Sequence, residues 1–285
     1  PVMLSKKKKG AKKKKGPEPE QAHVPVARTA WSTAAAQLKS WSRCHDILAT
    51  AAQAYMPGAA TTRLALVGDS ITESWRGTSI CRPMGRCRGV PDVLAETLGK
   101  RWPGPVVLGI AADHTQHLLW RLAHGELSTA MATDPRLVSV LLIGTNNLGR
   151  GHSAGETLAG IDAVAERLLT GTRGRLLVNA LLPRGDAAKR KYADTRVGTT
   201  PEGRPIRSFA PLIDRVNGAL NRSVARMQQR FANRVAYVDC GEPFKLGDGV
   251  RTDLMPDTLH PNAEGYRLWA GCLEPAIAAL EALPS

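Results

Sequence analysis

No run of roughly 18 or more apolar residues occurs in the chain, so no transmembrane helix is expected. The amino-terminal charge is not followed by an apolar run, and no secretory leader is expected either. Cysteine is scarce. The five thiols, Cys44, Cys81, Cys87, Cys240 and Cys272, are odd in number and widely spaced. Without a leader, that pattern argues for reduced thiols in a cytosolic compartment. Cys81 and Cys87 are near enough in sequence for a local disulfide or half a metal site. No matching Cys or His pair completes a zinc site, so no metal is expected. Internal repeats are absent apart from one doubled lysine block.

Acidic residues are missing from residues 1–16, which hold eight lysines in two blocks, Lys6–Lys9 and Lys12–Lys15. The formal net charge of the chain is +14, and the eight lysines leave +6 on the remainder. Lysines at this density repel one another, so residues 1–25 read as a tail and not as part of a core. The tail is either merely solvated or an anchor for an acidic partner: RNA, acidic protein tails such as those of tubulin, or an anionic membrane. A nuclear-import signal is a further reading of the same lysines.

Residues 26–285 have the apolar content of one domain. An Ala-rich segment over 30–55, with Trp31, Leu38, Trp41, Ile47 and Leu48, predicts a helix packed on that domain. Short continuous apolar runs at 63–68, 106–110, 137–143, 175–181 and 235–239 predict strands buried on both faces. Amphipathic stretches near 91–101, 116–124, 154–170 and 206–231 alternate with them. A last helix is expected over 263–282, with Pro275 as a kink site. Alternating β and α elements imply a parallel sheet covered on both sides. Residues 76–90 and 184–205 read as insertions, each either flanking a cleft at the carboxyl ends of the strands or a plain surface loop.

Chemistry is concentrated where the strands end. Gly68-Asp69-Ser70 closes the first strand. Glycine allows a sharp turn, and Ser70 would open a helix whose free N–H groups favour an oxyanion. The plain alternative is that Asp69 and Ser70 only cap that helix. Ile110-Ala111-Ala112-Asp113 follows the second strand, and Gly144-Thr145-Asn146-Asn147 the third. Asn146 can donate through its side-chain amide, although Gly and Asn also make ordinary turns. Downstream, Asp257-Thr258-Leu259-His260 sets a carboxylate three residues before an imidazole. His260 is the candidate base for Ser70, with Asp257 to orient it. His114, His117 and His124 are rivals without so well spaced a carboxylate; Asp113 directly precedes His114 and would point elsewhere.

In this order the segments resemble the SGNH (GDSL-type) hydrolase superfamily, over about residues 60–275. Gly68-Asp69-Ser70 matches its block one, Gly144-Thr145-Asn146 its block three, and Asp257-x-x-His260 its block five. The stretches Asp113 to Leu122 and Leu181-Leu182-Pro183-Arg184-Gly185 are similar to the catalytic subunits of intracellular platelet-activating-factor acetylhydrolases. The resemblance implies a flavodoxin-like three-layer α/β/α fold with five parallel strands. It also implies Ser70 as nucleophile, His260 as base and Asp257 as its partner. The oxyanion hole would comprise the N–H of Ser70, the N–H of Ala112 and the amide of Asn146, without metal or organic cofactor. The block-two glycine of the family falls on Ala112 here. Alanine keeps the N–H, but if the position needs φ > 0 it is strained and its Cβ crowds the substrate.

The expected activity is serine-mediated hydrolysis of a small ester. Ile71, Thr145 and Leu259, beside the reacting groups, are the candidate acyl pocket, and their size favours an acetyl-type group. The competing expectation is a non-catalytic or weakly catalytic structural component of a cytoskeletal, ciliary or ribonucleoprotein assembly, anchored to an acidic polymer by the lysine tail. Removal of acetyl groups from glycans is a third expectation, since fold does not fix substrate.

Overall fold

In the computed structural model, residues 20–28, 35–56, 63–185, 208–247 and 249–283 are described. Their strands are β1 (Arg63–Gly68), a short hairpin of β2 (Thr78–Ser79) and β3 (Arg82–Pro83), β4 (Val106–Gly109), β5 (Leu137–Leu142), β6 (Arg175–Asn179), β7 (Val235–Val238), and a second hairpin of β8 (Lys245–Leu246) and β9 (Gly249–Val250). The helices are α1 (Ala35–Gln53), α2 (Ser70–Glu73), α3 (Val90–Glu96), α4 (Leu98–Arg101), α5 (Thr115–Ala123), α6 (Thr129–Thr133), α7 (Thr145–Gly149), α8 (Ala154–Gly171), α9 (Ala210–Phe231) and α10 (Ala263–Glu281).

Five strands form one parallel sheet in the order β4-β1-β5-β6-β7. The apolar runs form these strands because both faces are covered: every residue of β5 and β6 is buried, and all but the first of β1. Helices α5, α8 and α9 pack side by side, while α3 and α10 pack together, giving the expected three layers. The chain leaves β1 toward one edge, to β4, and returns past it to β5. Connections on the two sides of β1 therefore run in opposite directions, which opens a crevice at its carboxyl end. Ser70 stands there, the first residue of α2.

Local chemistry explains the boundaries. The stretch expected as one helix over 91–101 divides at Thr97, whose hydroxyl bonds back to the Val93 carbonyl at 2.5 Å and competes with the helix ladder. Helix α8 starts at a capping box, Ser153 with Glu156. Helix α10 runs through Pro275 without a break in its assigned span. Its buried face carries Tyr266, which meets Trp75 edge-to-face at 4.6 Å between ring centres, and Trp269, which stacks on Trp75 at 5.5 Å. The Tyr266 hydroxyl donates to the Ile71 carbonyl, which fastens α10 to the turn that bears Ser70.

The expectation of reduced thiols is overturned. Cys44 is bonded to Cys81 and Cys240 to Cys272, while Cys87 is a free, buried thiol. The partners are 37 and 32 residues apart, and only the packing of α1 and α10 brings them together. The local Cys81–Cys87 pair does not form. Of the tail expected over 1–25, residues 1–19 lie outside the described residues, as does Trp31. The following segment lies on the domain: Ala22 is buried, its carbonyl accepts the Thr115 hydroxyl at 2.7 Å, and Val26 N–H donates to the Gln116 carbonyl. Within the insertion at 76–90, the β2–β3 hairpin packs behind α2. Of the 184–205 insertion, only Arg184 and Gly185 are described.

Candidate active site

Close approach dictates the turn after β1. A Cβ at Gly68 would overlap the Leu142 carbonyl and the Thr72 hydroxyl, so only glycine lets α2 fold back against the sheet. Asp69 caps α2, its Oδ1 accepting the Ile71 N–H at 3.0 Å. The helix is short, one turn followed by a 3₁₀ turn over Ser74–Arg76. Its free N–H groups, more than a long dipole, are what the site gains.

Ser70 and His260, 190 residues apart, meet with Oγ and Nε2 at 2.9 Å. On the other side of the ring, Nδ1 lies 2.6 Å from Asp257 Oδ2. The backbone N–H groups of His260 and Leu259 donate to Asp257 Oδ1 at 2.7 and 3.1 Å. Partial burial raises the Asp257 carboxyl, but the His260 ring and those N–H donors outweigh it and hold the group well below the usual carboxylate range. Thr258 completes this turn in the left-handed region, at φ +62°.

The block-two loop places Ala112 at φ +64°, a conformation that disfavours a side chain with Cβ. Asn146 is half-buried on α7, and its amide donates to the Asp113 carbonyl at 3.0 Å and to Asp69 Oδ2 at 3.3 Å. Gly144, at φ +123°, lets the chain leave β5 for this turn. Burial pushes the Asp69 carboxyl up to about 7; Asp113 adds to the rise, while the Ile71 N–H, Arg184 and Arg86 oppose it. The neighbouring Asn147 is tied into the fold, accepting from Thr115 N–H at 3.0 Å and donating to Gln116.

Ser70, Ala112, Asn146, Asp257 and His260 thus all lie at the carboxyl edge of the sheet, on loops leaving adjacent strands or on the segment before α10. Ile71 and Leu259 pack into the hydrophobic core at 2% and 4% exposed, and Thr145 is closed off at 4%. The rival histidines lie elsewhere. His114 and His117 are buried and stacked 4.9 Å apart, with burial keeping His114 neutral well below its usual range. His124 stacks on Trp120 at 3.9 Å. Asp113 indeed points away from His114, toward Trp41 Nε1 at 2.8 Å and Arg121 Nε at 2.7 Å.

Glu20, His114 and His117 carry ligand atoms within 4.8 Å of one another, the spacing a metal ion requires. The tautomer opposes it. His117 Nδ1 accepts the His114 N–H at 3.1 Å, so the ring proton sits on Nε2, facing Glu20 at 3.3 Å. In a second such group, Cys44, Glu73 and Cys81, the two sulfurs are bonded to each other.

Three buried charged residues were not anticipated from sequence. Arg184 Nη1 donates to the Thr145 carbonyl at 2.6 Å, and its guanidinium lies 4.1 Å over the Phe209 ring, supporting the turn that carries Asn146. Arg121 bridges Asp113 and Glu126 and reaches the Gly68 carbonyl at 3.1 Å. Glu73 is wholly buried beneath Ser70. A charged residue within an apolar helix pattern was the available signal for Arg121; Arg184 and Glu73 gave none.

The model of the GDSL-like lipase/acylhydrolase family matches residues 66–268. Platelet-activating factor acetylhydrolase IB subunit alpha2 of Rattus norvegicus is 38% identical over 160 residues, covering 55% of this chain and 57% of that protein. The alpha1 subunit of Homo sapiens is 44% identical over 80 residues, covering 27% and 31%. The chain thus spans from about a third to just over half the length of the curated relatives it matches. Among solved structures, a GDSL-like lipase from Bacteroides thetaiotaomicron superposes with a TM-score of 0.58 at 19% identity, over 82% of this chain and 97% of that one. At that identity the likeness concerns the fold.

Proposed function

The chain belongs to the GDSL-like lipase/acylhydrolase family, and from that premise we propose that it is a serine esterase that hydrolyses short-acyl, acetyl-type esters. The observation that carries the proposal is the relay from Ser70 Oγ to His260 Nε2 and from His260 Nδ1 to Asp257, at 2.9 and 2.6 Å. His260 takes the Ser70 proton, and Ser70 Oγ attacks the acyl carbonyl. The negative oxygen is received by the N–H groups of Ser70 and Ala112 and by the Asn146 amide. His260 then protonates the departing alcohol, and water repeats the sequence to free the acid and Ser70. Asp257 stays ionised through the cycle and stabilises the imidazolium, consistent with its lowered pKa.

A short acyl group is favoured by the size of Ile71, Thr145 and Leu259, which adjoin Ser70, Asn146 and His260 in the chain; Ser70 itself is 4% exposed. The names of the relatives, acetylhydrolase subunits, agree with a two-carbon acyl group. The test is covalent labelling by a fluorophosphonate, followed by a panel of p-nitrophenyl esters. Wild type is expected to label at Ser70 and to prefer acetate, and Ser70→Ala to lose both label and turnover. A folded wild type that takes no label ends the nucleophile assignment; preference for long chains ends the acyl assignment.

A further inference from the structure

Glu73 lies three residues after Ser70 on α2, is 0% exposed, and has no part in the proton relay. Its two oxygens accept from two different loops. Oε2 takes the Ala111 N–H at 2.6 Å and the Ile80 N–H at 2.9 Å. Oε1 takes the Cys81 N–H at 2.7 Å and the Thr78 hydroxyl at 2.9 Å, with the Arg76 guanidinium 3.3 Å away. Ala111 directly precedes Ala112. On the other side, Ile80 and Cys81 are consecutive left-handed residues, at φ +50° and +55°, whose successive N–H groups converge on the carboxylate as an anion-binding nest does. Cys81 is bonded to Cys44 of α1.

We propose that Glu73 is a positioning residue for the oxyanion hole, holding the Ala111–Ala112 backbone in place with the Cys44–Cys81 disulfide bracing the carboxylate from behind. The proposal rests on the reading above, that the Ala112 N–H serves the oxyanion formed at Ser70. Three features support it. Ala112 is held at φ +64° without the freedom of glycine, so this loop needs an external restraint. One restraint is Arg28, whose Nη1 donates to the Ala111 carbonyl at 2.9 Å; Glu73 holds the N–H of the same residue. A carboxylate buried in the core is costly unless every lone pair is used, and both loops supply the donors this one needs. The same side chain leaves α2 just below Ser70, so nucleophile and oxyanion donor are set by one short element.

Glu73→Gln in the full chain tests this. Glutamine keeps one acceptor oxygen and turns an amide nitrogen toward the N–H groups of Ala111 and Ile80 or of Cys81. For p-nitrophenyl acetate, kcat is expected to fall about tenfold or more, a fraction of the loss from deleting an oxyanion donor outright, with KM within about twofold. Hydrogen exchange across residues 110–113 should accelerate about tenfold while exchange in β5 and β6 is unchanged. If Glu73→Gln does not fold, Cys44→Ser/Cys81→Ser, which leaves Glu73 in place, decides: it should shift kcat and the 110–113 exchange in the same directions by less. Unchanged exchange at 110–113 in a folded variant, or a rise in KM without a fall in kcat, overturns the proposal. A wild type that takes no label on Ser70 sinks the nucleophile assignment and with it the oxyanion role, whereas the restraint of 110–113 by Glu73 is read separately by exchange, which needs no catalysis.

Discussion

Asp69 Oδ2 accepts the side-chain amide of Asn146 at 3.3 Å, so the residue before the proposed nucleophile orients the amide proposed to serve it. The second amide hydrogen goes to the Asp113 carbonyl at 3.0 Å. In this state the amide is aimed by protein acceptors, and an oxyanion must draw one hydrogen from them. The longer bond, to Asp69, is the one to yield. Asn146→Ala should therefore cost about 100-fold in kcat with KM little changed. Steady-state kinetics on an acetate ester check this; a loss confined to KM would remove Asn146 from the hole.

Asp69 also links the site to pH. An ordinary aspartate titrates near 3.8, and in the folded chain this one is pushed up to about 7, chiefly by burial. Between those values the unfolded chain has lost the proton and the folded chain keeps it. Stability is thus expected to fall as pH rises from about 4 to about 7 and then to level off. Asp69→Asn should remove that slope, so the melting temperature of the variant should gain on wild type between pH 5 and pH 8. A difference independent of pH would show that Asp69 titrates normally. Asp257, displaced downward, acts in another window: its contribution is full above the usual carboxylate range and is lost as pH falls below it.

Ala112 at φ +64° sets two magnitudes against each other. The left-handed conformation costs a residue with Cβ about 1–2 kcal/mol, while glycine loses about 0.4–1 kcal/mol through its freer unfolded state. Ala112→Gly should therefore raise stability only slightly, by less than about 1.5 kcal/mol on denaturant titration. Its larger effect is expected on specificity: removing the Cβ should raise kcat/KM for butyrate esters more than for acetate. Equal ratios for both esters would show that the methyl does not crowd the acyl group.

Arg184 fits poorly with any substitution. Its guanidinium stacks on Phe209 and donates to the Thr145 carbonyl, a planar geometry that an ammonium does not reproduce. Arg184→Lys is expected to destabilise by about 2–3 kcal/mol and to lower kcat through the turn that carries Asn146. Thermal unfolding and acetate kinetics on one preparation test both; a variant as stable and active as wild type would reduce Arg184 to packing.

Thiol chemistry offers a direct count. With Cys44–Cys81 and Cys240–Cys272 bonded, only Cys87 should react with a thiol reagent in denaturant without reductant. Reductant should expose all five cysteines. Five reactive thiols before reduction would restore the original expectation.

The elements of the sheet were legible in the residues. Continuous apolar runs such as Leu64–Val67 are what a strand buried on both faces of a covered parallel sheet requires, and all five expected strands are present within two residues at each end. The motifs Gly68-Asp69-Ser70 and Asp257-x-x-His260 were equally plain, because turn geometry and cleft chemistry restrict which residues stand there. What escaped was set by contacts between distant segments. Cys44 and Cys81 carry no spacing signal, since their pairing follows from how α1 packs on the loop behind α2. Glu73 reads in sequence as an ordinary helix acid, and only burial among the N–H groups of Ala111, Ile80 and Cys81 gives it a task. The sequence by itself determined which strands form and which groups could react, because periodicity and residue chemistry are local. The tertiary structure alone decided the sign of φ at Ala112, the partners of Asn146 and the cysteine pairs. Each depends on backbone brought together across the sheet edge, and no local pattern encodes that meeting.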